Sequence, residues 1–150
     1  MCWRKNTTND EVFIDTNNLI DFLAARQPFA EDAMILFQLA DNDEIELMVS
    51  DLTIINTIYI LRRMHYGLSE IYDSLDTIRP LLTVTSMGET AIDRCLQHRS
   101  DDFEDEMQYL SAVDADADYI LTRNKEDFDF GDSAVMTPRE FFDEQNIDFE

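Results

Sequence analysis

The sequence predicts an α/β protein of one domain: a three-layer α/β/α sandwich around a mostly parallel sheet of four to five strands. Three observations lead there. Short apolar runs without polar alternation, such as Val12-Phe13-Ile14, read as strands covered on both faces. Between these runs lie longer segments whose apolar residues recur at helical spacing, and strands alternating with helices give a parallel sheet with helices on either side. Finally, 150 residues of which 45% are hydrophobic suffice for a single core, and 3 Gly and 3 Pro leave no stretch that reads as a linker. No internal repeat or low-complexity tract is present.

The elements follow in order. Residues 12–15 form the first strand, 18–25 a short helix, and Gln27-Pro28 a turn. Phe29, Ala33, Leu36, Phe37 and Ala40 give residues 29–42 a helical stripe. "IELMVS" (45–50) is the second strand. The next segment opens with Asp51 as its cap and runs as a helix to Gly67; Ile54, Ile58 and Leu61 hold the helical period although its β-branched content also suits a strand. Residues 69–79 are helical and stop at Pro80. "LLTVTS" (81–86) is the third strand, and residues 88–98 and 102–116 are helices. "DYILT" (118–122) and "AVMT" (134–137) complete the sheet. Pro138 opens a last helix, at a position where proline is accepted. The core is expected over residues 12–142, with residues 1–11 a flexible leader.

The formal net charge is −22, from 33 Asp and Glu against 11 Lys and Arg. Affinity for nucleic acid comes largely from cations on phosphate, so this chain is not a general polyanion binder. It suits a divalent cation or a basic partner. No apolar run approaches the length of a membrane span, and the N-terminal residues lack the apolar region of a secretory signal. Cys2 and Cys95 give no disulfide framework and no zinc spacing, so the expected compartment is a reducing cytoplasm.

In open parallel sheets the functional crevice lies beyond the carboxyl ends of the strands. There the sequence places Asp15-Thr16-Asn17-Asn18, Ser50-Asp51, and Thr122-Arg123-Asn124 with Asp127 close behind; the helix entering strand four begins "DDFEDE", residues 101–106. Carboxylates from separate elements can hold Mg²⁺ or Mn²⁺, hard cations that prefer oxygen ligands and activate water for attack on phosphorus. Asp15 is the leading candidate, because a buried strand gives an acid few routes to water. Asp105 is the second, being followed at helical spacing by Tyr109 and Ala112, whereas Asp101 and Asp102 are expected as exposed caps. The helix dipole alone already accounts for acids in that first turn. His65 and His98 lack triad partners and are expected to be ordinary surface residues.

"FIDTNNLID", "SDLTIINTIYILRR" and "DDFEDEMQYLSAVDADADYILTRNKEDF", in that order and spacing, resemble the PIN-domain (PilT N-terminal) nucleases. The last run resembles in particular a toxin-type, VapC-like subgroup of toxin–antitoxin pairs. The resemblance spans residues 12 to about 142 and implies a Mg²⁺- or Mn²⁺-dependent endoribonuclease with clustered acids. It gives Asp15 and Asp105 the metal-binding and catalytic places; Asp127, three residues after Asn124, is the candidate third catalytic acid in place of the one missing there, or else a cap of the next turn. Thr16, Asn17 and Thr122 take supporting places. The chain departs from the family at Asn56, where many members carry Glu, and at Asn124, where a fourth acid would stand. Asn is a weaker ligand for Mg²⁺, so metal affinity should fall. Arg123 and Lys125 flank Asn124 and are candidates for RNA contact; Arg62 and Arg63 are further cations. The partners implied are RNA, an antitoxin protein and a second copy of the chain, without a membrane.

Two other readings compete. A catalytically weak or inactive PIN-like binding protein, acting through its acidic surface, is favoured by Asn56 and Asn124. A haloacid-dehalogenase-type phosphatase also opens with a strand and Asp, but it needs an acid at the position of Asn17. A phosphoacceptor receiver is disfavoured further, because strand three ends in Thr85-Ser86.

Overall fold

The computed structural model describes residues 9–147. Its five strands are β1 (Asp10–Ile14), β2 (Ile45–Ser50), β3 (Leu82–Thr85), β4 (Tyr119–Leu121) and β5 (Val135–Met136). They form one sheet in the order β3-β2-β1-β4-β5, with every pairing parallel. The helices are α1 (Thr16–Leu23), α2 (Ala30–Asp41), α3 (Asp51–Arg63), α4 (Leu68–Ile78), α5 (Glu89–His98), α6 (Phe103–Asp114) and α7 (Pro138–Glu144). This is the expected three-layer α/β/α sandwich. None of these helices is long and apolar enough to cross a membrane.

Successive strand residues point to opposite faces, and both faces of β1 are apolar. Val12 and Ile14 join Leu36, Phe37, Phe141 and Phe142 on one side. Phe13 joins Met107, Leu110 and Cys95 of α5 and α6 on the other. Each fully buried side chain of this size contributes about 1.5–3 kcal/mol relative to an exposed one, so the non-alternating pattern is what the two-sided cover requires. A smaller cluster, Ile20, Leu61 and Ile71, ties α1 to α3 and α4.

The differences from expectation lie at element ends. β1 opens at Asp10, inside the segment expected as a leader, because Asp10 and Glu11 pair with Ile45 and Glu46 through the backbone while their side chains stay half in solvent. The rest of that segment, with Cys2, lies outside the described residues. β1 ends at Ile14, since Asp15 leaves the ladder to cap α1. The cap of α3 is Ser50, whose hydroxyl accepts from the Thr53 amide, and Asp51 is the first helical residue. Pro80 falls within a 3₁₀ turn, Arg79–Leu81, that leads into β3.

Candidate metal and nucleic-acid site

The turn from β1 into α1 fixes the first candidate acid. Asp15 has extended backbone geometry and its Oδ1 accepts the Asn18 amide at 2.9 Å, satisfying one of the unpaired amides of a helix start. Its Oδ2 accepts the Thr122 hydroxyl at 2.7 Å, from the end of the neighbouring strand β4. Asn18 locks the same junction by donating Nδ2 to the Leu121 carbonyl at 2.8 Å. The Asp15 carboxyl is therefore buried, yet both oxygens have donors. Burial is the largest influence on it and holds its pKa above the ordinary value; the two donors and Arg123 pull down, while the Asp21 charge pushes up.

Thr16 points to α3, where its hydroxyl lies 3.0 Å from that of Thr53. Thr53 in turn accepts Nε2 of Gln108 on α6 at 3.0 Å, and Gln108 Oε1 accepts the Ser50 hydroxyl at 2.7 Å. Ser50, Thr53 and Gln108 are all buried, so this chain of polar contacts is shielded from water and couples α1, β2, α3 and α6 at the carboxyl end of the sheet. One turn before Gln108 stand Glu104 and Asp105. Asn56, one turn beyond Thr53, donates Nδ2 to Glu104 Oε2 at 2.9 Å. The position where many PIN domains carry Glu thus serves here as a donor to a carboxylate supplied by α6.

The first turn of α6 crowds negative charge. Asp102 is the cap, accepting the Asp105 amide at 3.0 Å. Asp105 is half-buried and its carboxyl is pushed up to about 8, first by burial, then by its contact with Asp102 and by the charges of Asp102, Asp127 and Glu104. Glu104 is also raised, by burial and by Asp102, while Asn56 opposes the shift. Such a group favours either a proton or a cation. Among the described residues, no three His, Cys, Asp or Glu side chains already converge as a ligand set. Mg²⁺ commonly uses one or two carboxylates and keeps several waters, so the crowded carboxylates of Glu104 and Asp105, with Asp127 near, have the donor chemistry of a hard divalent cation without such a cage.

The other predicted residues are placed as follows. Asp127 is exposed in a 3₁₀ turn, Lys125–Phe128, near enough to Asp105 to act on its charge. Asn124 is exposed, and its amide donates to Thr122 at 3.2 Å. Lys125 pairs with Glu140 at 2.8 Å. Arg123 turns inward to Asp21 and over the Phe29 ring. Asn17 accepts Arg26 through its carbonyl and side-chain oxygens. Arg62 and Arg63 are exposed at the far end of α3, and Arg63 lies over Tyr59. His65 is exposed, but His98, although largely exposed, pairs its Nδ1 with buried Glu106 at 2.7 Å. Sequence reasoning missed Asp21, Arg26, Thr53 and Gln108, and placed Ser50 and Glu104 in candidate segments without giving either a role. For Ser50 and Thr53 the signal was there, a hydroxyl three residues before an amide at a strand-to-helix junction. Gln108 and Glu104 carry none, because the face α6 presents depends on what packs against it.

A family model described as PIN domain matches residues 11–126, and the chain belongs to that family. Solved structures agree on the fold. FitAcB from Neisseria gonorrhoeae is 17% identical, with a TM-score of 0.66, and the match covers 85% of this chain and 98% of that one. PAE2754 from Pyrobaculum aerophilum is 15% identical with a TM-score of 0.61, covering 91% and 96%. VapC20 from Mycobacterium tuberculosis, titled a sarcin-ricin loop cleaving toxin, is 13% identical with a TM-score of 0.57, covering 73% and 86%. No curated protein matches the chain.

Proposed function

We propose that this protein is a Mg²⁺- or Mn²⁺-dependent endoribonuclease that hydrolyses RNA phosphodiester bonds, acting in the cytoplasm as the toxin of a toxin–antitoxin pair. The observation that carries the reading is Asp15: a buried carboxyl with a donor on each oxygen, delivered by the central strand to the carboxyl end of the sheet. A buried acid is costly unless hydrogen-bonded or paired with a cation, and here the fold supplies the hydrogen bonds. Asp15 and Asp105 would hold the cation, with Glu104 and Asp127 adding negative charge near Asp105. When bound, the cation would lower the pKa of a water and offset charge on a phosphoryl oxygen. Thr122 and Asn18 fix the direction of Asp15, Thr16 ties it to α3 through Thr53, and Asn56 holds Glu104. The fold likeness to FitAcB and to the toxin VapC20 supports an antitoxin protein as partner. Ile55 and Tyr59, both 64% exposed on α3, support a second copy of the chain there.

The test is RNA cleavage by the purified protein with Mn²⁺. Activity is expected, abolished by chelator and by Asp15→Asn; inert protein, or activity indifferent to both, would overturn the reading. An inactive PIN-like binding protein is the second reading, favoured by Asn56 and Asn124 standing where acids are usual. Calorimetry separates the two, since that reading expects no Mn²⁺ binding at millimolar concentration.

A further inference from the structure

In a chain of net charge −22, a strand of RNA needs a local cation to bring a phosphate to Asp15. We propose that Arg26 and Arg123, joined through buried Asp21, form a subsite for an RNA backbone phosphate beside Asp15. This rests on the ribonuclease reading and adds to it a binding site and a residue, Arg26, outside the acid cluster.

Asp21 is 1% exposed, and two guanidiniums share it. Its Oδ1 accepts Arg26 Nε at 2.9 Å and Arg123 Nη2 at 3.4 Å. Arg123 Nε is buried and lies 3.3 Å from Oδ2 without a well-aligned hydrogen bond, so it serves the Asp21 ion pair and any contact to phosphate falls to the exposed edge of the guanidinium. Arg26 and Arg123 together offset Asp21 and the neighbouring Asp15 carboxyl, a locally balanced spot in a strongly acidic chain. The Asp32–Arg139 pair, at 2.9 Å, lines the same cavity and adds no net charge.

Both guanidiniums are also held in place. Arg26 Nη2 reaches the carbonyl and side-chain oxygens of Asn17 at 3.3 and 3.2 Å, and Arg123 lies 3.9 Å from the centroid of the Phe29 ring. Fixing a planar guanidinium in advance lowers the entropy lost when it binds phosphate. Their side chains remain 31% and 25% exposed, so edges still face water. Asn17, Asn18 and Arg123 follow the ends of β1 and β4, and both Asp21 and Arg123 are near enough to act on the Asp15 charge. Asn18, Asp21, Phe29, Asp32, Arg123 and Arg139 are among the residues that line a cavity of about 240 Å³ there, which Arg26 adjoins only through Asp21. That is smaller than a typical small-molecule pocket, and suits a phosphate with part of its ribose.

The experiment is fluorescence anisotropy of a short labelled oligouridylate with the full chain, in chelator so that no RNA is cut, over a series of salt concentrations. The slope of log affinity against log salt is expected to shrink by about 0.7 in Arg26→Gln and in Arg123→Gln, the value for one lost phosphate contact to a single strand. Arg123→Lys should keep the slope. Asp21→Asn should bind at least as tightly as wild type, because it removes negative charge while keeping an acceptor. An unchanged slope in both Gln variants, or a loss in Asp21→Asn as large as theirs, would overturn the subsite and leave the nuclease reading intact. If the Gln variants do not fold, Asp21→Asn and Arg123→Lys decide it: loss of binding in either refutes the subsite. Wild-type protein that fails to bind the oligonucleotide even at low salt would also overturn the subsite, whereas the ribonuclease reading stands or falls separately on cleavage with Mn²⁺.

Discussion

On the β1 side of the site, Asp15 is buried and each of its oxygens has a donor fixed by a strand end or a helix cap. On the α6 side, Asp102, Glu104 and Asp105 crowd one helical turn half in solvent, with Asn56 as the cross-element donor to Glu104. The first half is set by backbone hydrogen bonding and is complete without a ligand. The second is set by mutual repulsion and is incomplete without a proton or a cation. In the proposed site rigidity is separated from charge: one carboxylate would give position and the others affinity.

The largest expected effect breaks the β1 half. Asp15→Asn should lower RNA cleavage by more than about 100-fold, above what loss of an outer hydrogen-bonding partner costs in metal sites. Asn caps helices as well as Asp does and carries no charge to bury, so the thermal midpoint should hold or rise. Activity assays and calorimetric unfolding of one preparation check both. Thr122→Val keeps shape but removes the donor to Oδ2. It should weaken Mn²⁺ affinity by about 10–100-fold in titration calorimetry.

The two halves were also unequally legible in the sequence. "VFIDTN" shows a buried strand ending on an acid, and every strand and helix was placed to within a few residues because apolar periodicity follows from burial. β1 opens two residues before its apolar run, since Asp10 and Glu11 join the ladder through their backbone, which leaves no apolar mark, and α3 stops at Arg63, short of Gly67. The role of Asn56 as a donor to Glu104, and the Thr53–Gln108 contact, could not be read, because they depend on how α3 and α6 are rotated against each other. Arg123 looked like a cation facing solvent; its pairing with Asp21 joins the loop after β4 to helix α1, brought together only by the sheet order.

The α6 half is sharpened by pH. Asp105 has an ordinary value of 3.8 and is pushed up to about 8 in the fold. Between those values the folded protein keeps a proton that the unfolded chain releases. Stability from this group is therefore complete at low pH and declines as pH rises towards 8. Glu104 and Asp15 shift in the same direction. In metal-free buffer the thermal midpoint should fall between pH 5 and 8, and Asp105→Asn should flatten that fall. Added Mn²⁺ should restore the midpoint at pH 8 and do little at pH 5. The smallest effect is that of Asn56→Glu, which sets a second carboxylate against Glu104. It should cost under about 1 kcal/mol without metal, the scale of an exposed charge pair, and tighten Mn²⁺ binding.

The most direct measurement is anomalous diffraction from crystals soaked in Mn²⁺. A peak at metal–oxygen distance, roughly 2.0–2.2 Å, from carboxylates of both Asp15 and Asp105 is the predicted result. A peak bound elsewhere, or none at millimolar Mn²⁺, would contradict the claim that these two acids share a cation.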